Sequence, residues 1–194
     1  MRHLQAARGA PITEPGAAVD APDPPAGRAR LRLLLITVAV SGLLLDLLTK
    51  VLAVRWLDPA DPVRLLGGLL TLRLIRNPGA AFSLGERFTY LFAILAVVVL
   101  IFIGVRLAPR VGHPGWAVAL GMLVAGISGN LVDRIFRAPG FLRGHVVDFF
   151  QLPRFAIFNV ADIFITASAF LIIVLTMIKN VGPDGQHYSR DREP

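Results

Sequence analysis

Apolar positions along this chain gather into four long runs, separated by breaks rich in Pro, Gly and charge. The first, Leu33 to Val54, is long enough to cross the roughly 30 Å hydrocarbon core of a bilayer as a helix. Only Asp46 and Lys50 interrupt it, and their i, i+4 spacing puts them on one helical face. The second run, Phe88 to Leu107, is uncharged as far as Arg106. The third begins at Trp116 and carries Gly121, Ala125, Gly126, Ser128 and Gly129, small residues that let helices pack closely. The fourth extends from Phe158 to Ile178. The pattern predicts an all-α polytopic membrane protein with four transmembrane helices, over about 33–54, 88–107, 116–134 and 158–178.

The intervening stretches differ in character. Residues 55–87 are punctuated by Asp58-Pro59, Asp61-Pro62, Gly67-Gly68 and Asn77-Pro78-Gly79, with Leu69 to Ile75 as a candidate strand. A small, partly β structure outside the hydrocarbon is expected there. Residues 135–157 form a second connector, holding Pro139-Gly140 and Asp148. Residues 1–30 are rich in Ala, Pro, Gly and Arg without apolar periodicity and read as a disordered tail. Residues 181–194 read as a polar tail. The first apolar run starts only at Leu31, too far along for a cleaved signal peptide, so it reads as an uncleaved span.

Composition agrees with the membrane reading. Of 194 residues, 55% are hydrophobic and only 17% charged, against about 25% charged in an ordinary globular chain. The net charge of +7 invites a nucleic-acid partner. The basic residues, however, stand singly between apolar runs, with no cluster and no aromatic platform, so no nucleic acid is expected. Anionic membrane lipid accounts for the charge more simply. Cysteine is absent, which removes thiol nucleophiles, disulfides and thiolate metal sites.

Threading the chain back and forth through four spans sorts the polar residues. Asp46, Asn77, Asn130, Asp133, Arg134, Asp148, Asn159 and Asp162 all fall toward one face of the membrane. Arg106, Arg110, His113 and the tails fall toward the other. Charge alone does not orient the chain: with the termini inside, ten Lys/Arg lie on the inner side and nine on the outer.

Two aspartates stand out, Asp148 within His145-Val-Val-Asp-Phe-Phe150 and Asp162 at the end of Phe158-Asn-Val-Ala-Asp162. A carboxylate among apolar residues is costly unless paired, solvated or protonated. Two that meet can share one proton, the ionised member activating water and the protonated one polarising a carbonyl. Asp162 also fits a helix cap, with Asn159 as N-cap and an acid three residues on. Asp46 with Lys50 fits a partly solvated interfacial pair, and Asp133 with Arg134 another. His145 reads as a polar loop residue. The histidines form no metal-binding pair, and Ser83 and Ser128 lack a nucleophile context. From spacing alone, an intramembrane hydrolase and a transporter or channel using Asp46, Asp133 and Arg134 both stay open. So does a scaffold packing through the third run.

Five segments together carry a resemblance: Asp46-x-x-x-Lys50, Asn77-Pro-Gly-Ala-Ala-Phe-Ser83, Gly129-Asn-Leu-Val-Asp-Arg134, Val146-Val-Asp-Phe149 and Phe158-Asn-Val-Ala-Asp162. In order and spacing they resemble the motifs of the lipoprotein signal peptidases, signal peptidase II, over roughly residues 33–178. The resemblance implies a bacterial inner-membrane aspartic endopeptidase with both termini cytoplasmic and the site toward the extracytoplasmic face. Such enzymes cut a prolipoprotein just before its diacylglyceryl-modified cysteine. It implies Asp148 and Asp162 as the catalytic pair, with Asp46, Lys50, Asn77, Gly79, Asn130, Asp133, Arg134, Asn159 and Ala161 supporting the site or holding substrate. It also implies a peptidase domain over residues 31–180, an extracytoplasmic β-containing cradle with a lid, no metal or other cofactor, and globomycin as an inhibitor at the same site. Pro78 departs from the Thr or Tyr frequent in that family.

Overall fold

A computed structural model describes the chain over residues 25–79 and 85–188. Helix α1 runs Pro25–Trp56. It begins earlier than the apolar run because proline is accommodated at the first helical position, where its missing N–H has no intrahelical partner anyway. Residues 25–30, expected as tail, are therefore helical, while residues 1–24 lie outside the described part. Helix α2 (Gly85–Phe102) continues through a wide turn, Ile103–Leu107, and a tight one, Ala108–Arg110. Helix α3 (Pro114–Phe136) is capped by His113, whose Nδ1 accepts from the Gly115 N–H at 3.0 Å. Helix α4 (Val160–Ile173) continues through a final wide turn, Val174–Ile178. Among the described residues, four helices are long and apolar enough to cross a membrane, over 27–56, 89–110, 114–136 and 160–178.

Helix α3 lies at the centre, packed against α1, α4 and α2, and is the most buried of the four. Its small residues make that possible. A side chain at Gly121 would strike the Leu35 carbonyl and Val38 of α1, and one at Gly126 would strike Ala161 and Ile165 of α4. The outer helices expose Leu33, Leu44, Leu48, Leu95 and Phe170, the composition of a lipid-facing surface.

Three antiparallel strands, β1 (Val63–Leu65), β2 (Leu70–Asn77) and β3 (Val146–Gln151), form one sheet in the order β1-β2-β3. Strand β2 matches the stretch expected to be extended. Strand β3 falls inside what read as a connector. Val146-Val-Asp-Phe149 is buried throughout, so it lacks the polar–apolar alternation that marks a half-buried strand. The pairings Ile75↔Asp148 and Asn77↔Val146 bring Asp148 beside the end of β2. Ala53, Leu74, Val147, Phe149 and Val160 form a small core that ties the sheet to α1 and α4.

A second core lies among Leu35, Ile103, Val111, Trp116, Leu120, Leu175 and Val181. Val181 belongs to the segment expected as a polar tail. Residues 180–188 instead turn back on the start of α3, with the Trp116 indole donating to the Val181 carbonyl at 3.0 Å and the Gly112 N–H to Pro183 at 2.9 Å. The short polar sequence hides this return because only one apolar side chain in it is buried.

Candidate active site

Lys50 and Asp46, one turn apart on α1, face α3 and α4 and are fully buried, so the partly solvated pair does not form. A buried ammonium needs acceptors for its three N–H groups. Lys50 Nζ lies 2.9 Å from Asp46 Oδ2, 2.9 Å from Asp133 Oδ2 and 3.0 Å from Asn130 Oδ1. The Asp46 Oδ2 contact is an off-axis ion pair rather than an aligned hydrogen bond. Asp46 Oδ1 accepts from the Ala161 N–H at 2.8 Å, one of the orphan donors at the start of α4. Gly129 makes this approach possible, since a Cβ there would collide with the Asp46 carboxylate.

Asp133 is not paired with Arg134 as the adjacent charges implied. It takes Lys50 on one oxygen and Arg137 on the other, and also accepts from the Val147 N–H at 3.2 Å. Arg137 was missed by sequence reasoning, although its i+4 spacing from Asp133 on α3 was a usable signal. Arg134 points elsewhere, its guanidinium 5.8 Å from the centre of the Phe92 ring and within electrostatic reach of Asp148, Asp133 and Asp162.

From this anchored layer a second layer of amides reaches the two aspartates. Asn130 Nδ2 donates to Asp162 Oδ1 at 2.9 Å. Asn159 Nδ2 donates to Asp148 Oδ1 at 2.6 Å and to Asn130 Oδ1 at 3.2 Å. Asn77 Nδ2 donates to Asp148 Oδ2 at 2.8 Å, and its own carbonyl is held by the Gly79 N–H at 2.8 Å. Gly79 has φ 101°, a conformation that favours glycine, and a Cβ there would press on Phe92. Thr89 on α2, not singled out from sequence, donates to the Pro78 carbonyl at 2.6 Å and fixes the same turn. Residues 80–84, including Ser83, lie outside the described part. His145 serves the connector through its backbone N–H, which donates to Ala138 at 3.0 Å.

The helix cap expected at Asn159 and Asp162 is present in full. Asn159 Oδ1 accepts from the Asp162 N–H and Asp162 Oδ2 from the Asn159 N–H, both at 3.1 Å. Capping and membership of the polar cluster are thus compatible roles for one carboxylate. The two aspartates differ in setting. Asp148 is 2% exposed between Val147 and Phe149, and burial pushes its carboxyl up to about 6 despite the opposing bonds from Asn77 and Asn159. Asp162 is half-buried and sits at the start of α4, where the helix dipole favours negative charge. The negative charge of Asp162 adds to the burial in opposing ionisation of Asp148.

Four apolar helices around one buried polar cluster, with the Asp148 and Asp162 carboxylates bonded into it, define a multi-pass membrane protein with an aspartate-centred site. Comparison with known proteins narrows this. The profile of the family Signal peptidase (SPase) II matches residues 38–178. A lipoprotein signal peptidase of Rhodococcus jostii (strain RHA1) is 48% identical over 165 residues, covering 85% of this chain and 82% of that protein. Those of Mycolicibacterium smegmatis and Streptomyces griseus are each 47% identical, covering 86% and 82% of this chain and 69% and 81% of theirs. A bacterial membrane enzyme solved by the in meso method at 1.9 Å superposes with a TM-score of 0.61 and 28% identity, over 74% of this chain and 92% of that one. The chain belongs to the signal peptidase II family and is an aspartic protease. That membership sets aside the transporter and scaffold readings.

Proposed function

We propose that this protein removes the signal peptide from prolipoproteins, cutting just before the diacylglyceryl-modified cysteine, with Asp148 and Asp162 as the catalytic pair. The observation that carries the reading is the clamp by Asn159, which donates its side-chain amide to the Asp148 carboxylate and its backbone N–H to that of Asp162, while Asn130 and Asn77 each hold one. Such a clamp limits how far the carboxylates can turn, as a preorganised dyad requires. Charge balance supports it too. Asp46, Asp133, Asp148 and Asp162 face Lys50, Arg134 and Arg137, leaving one excess negative charge that a single shared proton cancels.

In this reading Asp148 holds the proton and Asp162 the charge. Asp162 takes a proton from water as the water oxygen attacks the scissile carbonyl carbon. Asp148 gives its proton to the carbonyl oxygen, and a tetrahedral diol forms. As the diol collapses, Asp148 takes back a proton from one diol hydroxyl, the C–N bond breaks with its electrons going to nitrogen, and Asp162 gives its proton to the leaving amine. Asp46, Lys50, Asn130, Asp133, Asn159 and Ala161 hold the pair in place, while Asn77, Gly79 and Arg134 face the substrate. The site lies toward the extracytoplasmic face of a bacterial inner membrane, with both termini cytoplasmic. Globomycin would occupy the same place.

The test is direct. Purified wild type is incubated with a diacylglyceryl-modified precursor and with the unmodified one, and the shortened product is followed on a gel. Cleavage is expected only with the modified substrate. Asp148→Asn and Asp162→Asn should each cut the rate by at least roughly a thousandfold while still inserting and folding. Full activity in either variant removes that aspartate from the pair.

A further inference from the structure

Outside the polar site, a concave groove of about 280 Å³ lies on the sheet, lined by Gly68, Thr71, Arg73, Gln151, Arg154 and Arg64. Register explains why these meet. Arg64 pairs with Thr71 and Thr71 with Gln151, so the three side chains stand in one row across the sheet. Arg73 lies two residues along β2 from Thr71, which puts it on the same face. All three arginines are exposed, and among the described residues no carboxylate lines the groove. Three guanidiniums with no carboxylate among the described lining residues, next to a hydroxyl and an amide, suit an anion with several oxygens.

Its neighbours fix what kind of anion. The sheet starts at Val63, only a few residues after α1 ends at Trp56. Trp56 is 77% exposed, and the turn between β1 and β2 holds out Leu66 at 77% and Leu69 at 60%. Exposed leucines and a tryptophan at the end of a membrane-crossing helix belong at the hydrocarbon boundary. Gly67 and Gly68, at φ 68° and 94°, let this tip turn sharply without side chains of their own. The arginines therefore stand where phosphates lie, with apolar side chains where acyl chains begin. We infer that this groove binds the headgroup of an anionic phospholipid, holding the sheet against the membrane surface. The inference stands apart from the peptidase reading, since it concerns neither aspartate.

The test uses the full chain in detergent, titrated with phosphatidylglycerol or phosphatidylcholine, with retained lipid counted by native mass spectrometry. Wild type should keep phosphatidylglycerol in strong preference. Replacing three arginines, Arg64→Gln/Arg73→Gln/Arg154→Gln, should reduce that preference on the order of a hundredfold, at about fivefold for each arginine. A charge-matched triple outside the groove, Arg106→Gln/Arg143→Gln/Lys179→Gln, should leave it intact. The idea is overturned if wild type holds the two lipids equally, or if the two triple variants behave alike. It is also overturned if an acidic oligonucleotide displaces the lipid at equal concentration, which would make the groove a general polyanion site. All six positions are away from the aspartates, so unchanged melting temperatures establish that the variants are folded.

Discussion

Replacing Asp148 by Asn separates the cost of its burial from its chemistry. Its carboxyl moves from 3.8 to about 6 in the folded protein, and each unit corresponds to about 1.4 kcal/mol. A group whose folded value is raised contributes stability that is fully present below about pH 4 and lost as pH rises through about 6. Between pH 4 and pH 8 wild type should therefore lose about 3 kcal/mol relative to a variant that cannot ionise. The amide brings a constant cost. Its NH2 group meets Asn77 Nδ2 or Asn159 Nδ2, donor against donor, and neither partner can flip freely. The Asn77 carbonyl is held by Gly79 and that of Asn159 by the Asp162 N–H. That mismatch costs about 1–3 kcal/mol at every pH. The variant should be the less stable protein at pH 4 and equal to or more stable than wild type at pH 8. Denaturant unfolding of the detergent-solubilised proteins at the two pH values measures this, and the constant term cancels in the comparison. A stability difference that stays the same from pH 4 to pH 8 would refute the reasoning.

Three further outcomes follow from the same geometry. Lys50→Met leaves Asp46 and Asp133 buried without their shared cation and should cost about 3–5 kcal/mol in unfolding free energy. Gly129→Ala drives a methyl into the Asp46 carboxylate and should cost about 1–3 kcal/mol, with the Ala161 amide proton losing its protection from hydrogen exchange. With Asp148 as the protonated member, kcat/KM should fall tenfold per pH unit above about pH 6. The matching limb in kcat should lie higher, because bound substrate covers Asp148 further; a flat profile from pH 5 to pH 8 would contradict the assignment.

The four helices were legible because long apolar runs have few other physical outcomes, and the convergence of polar residues on one end followed from threading alone. Particular contacts were less accessible. The Asp46–Lys50 spacing marked a shared face, yet nothing local told that Asp133 would complete a buried triad rather than leave the pair in water. Asp133 and Arg134 are neighbours in sequence but about 100° apart around a helix, so adjacency misled while the i+4 partner Arg137 was overlooked. Strand β3 escaped because burial of Val146 to Phe149 erases alternation, and pairing with β2 depends on residues far away in the chain. The cap at Asn159 was readable, being a local motif of four residues.

The Lys50 anchor also bears on how the protein enters its membrane. Asp46 and Lys50 emerge on the same helix, whereas Asn130, which shares the ammonium, follows 80 residues later. At roughly 5–20 residues per second of synthesis, that is an interval of roughly 4–16 seconds. Until α3 arrives, the two charges on α1 have only each other and whatever water reaches them, so the helix travels as a self-neutralised pair. Its final seat is set when α3 closes over it. Biogenesis of the first span is thus completed by the third.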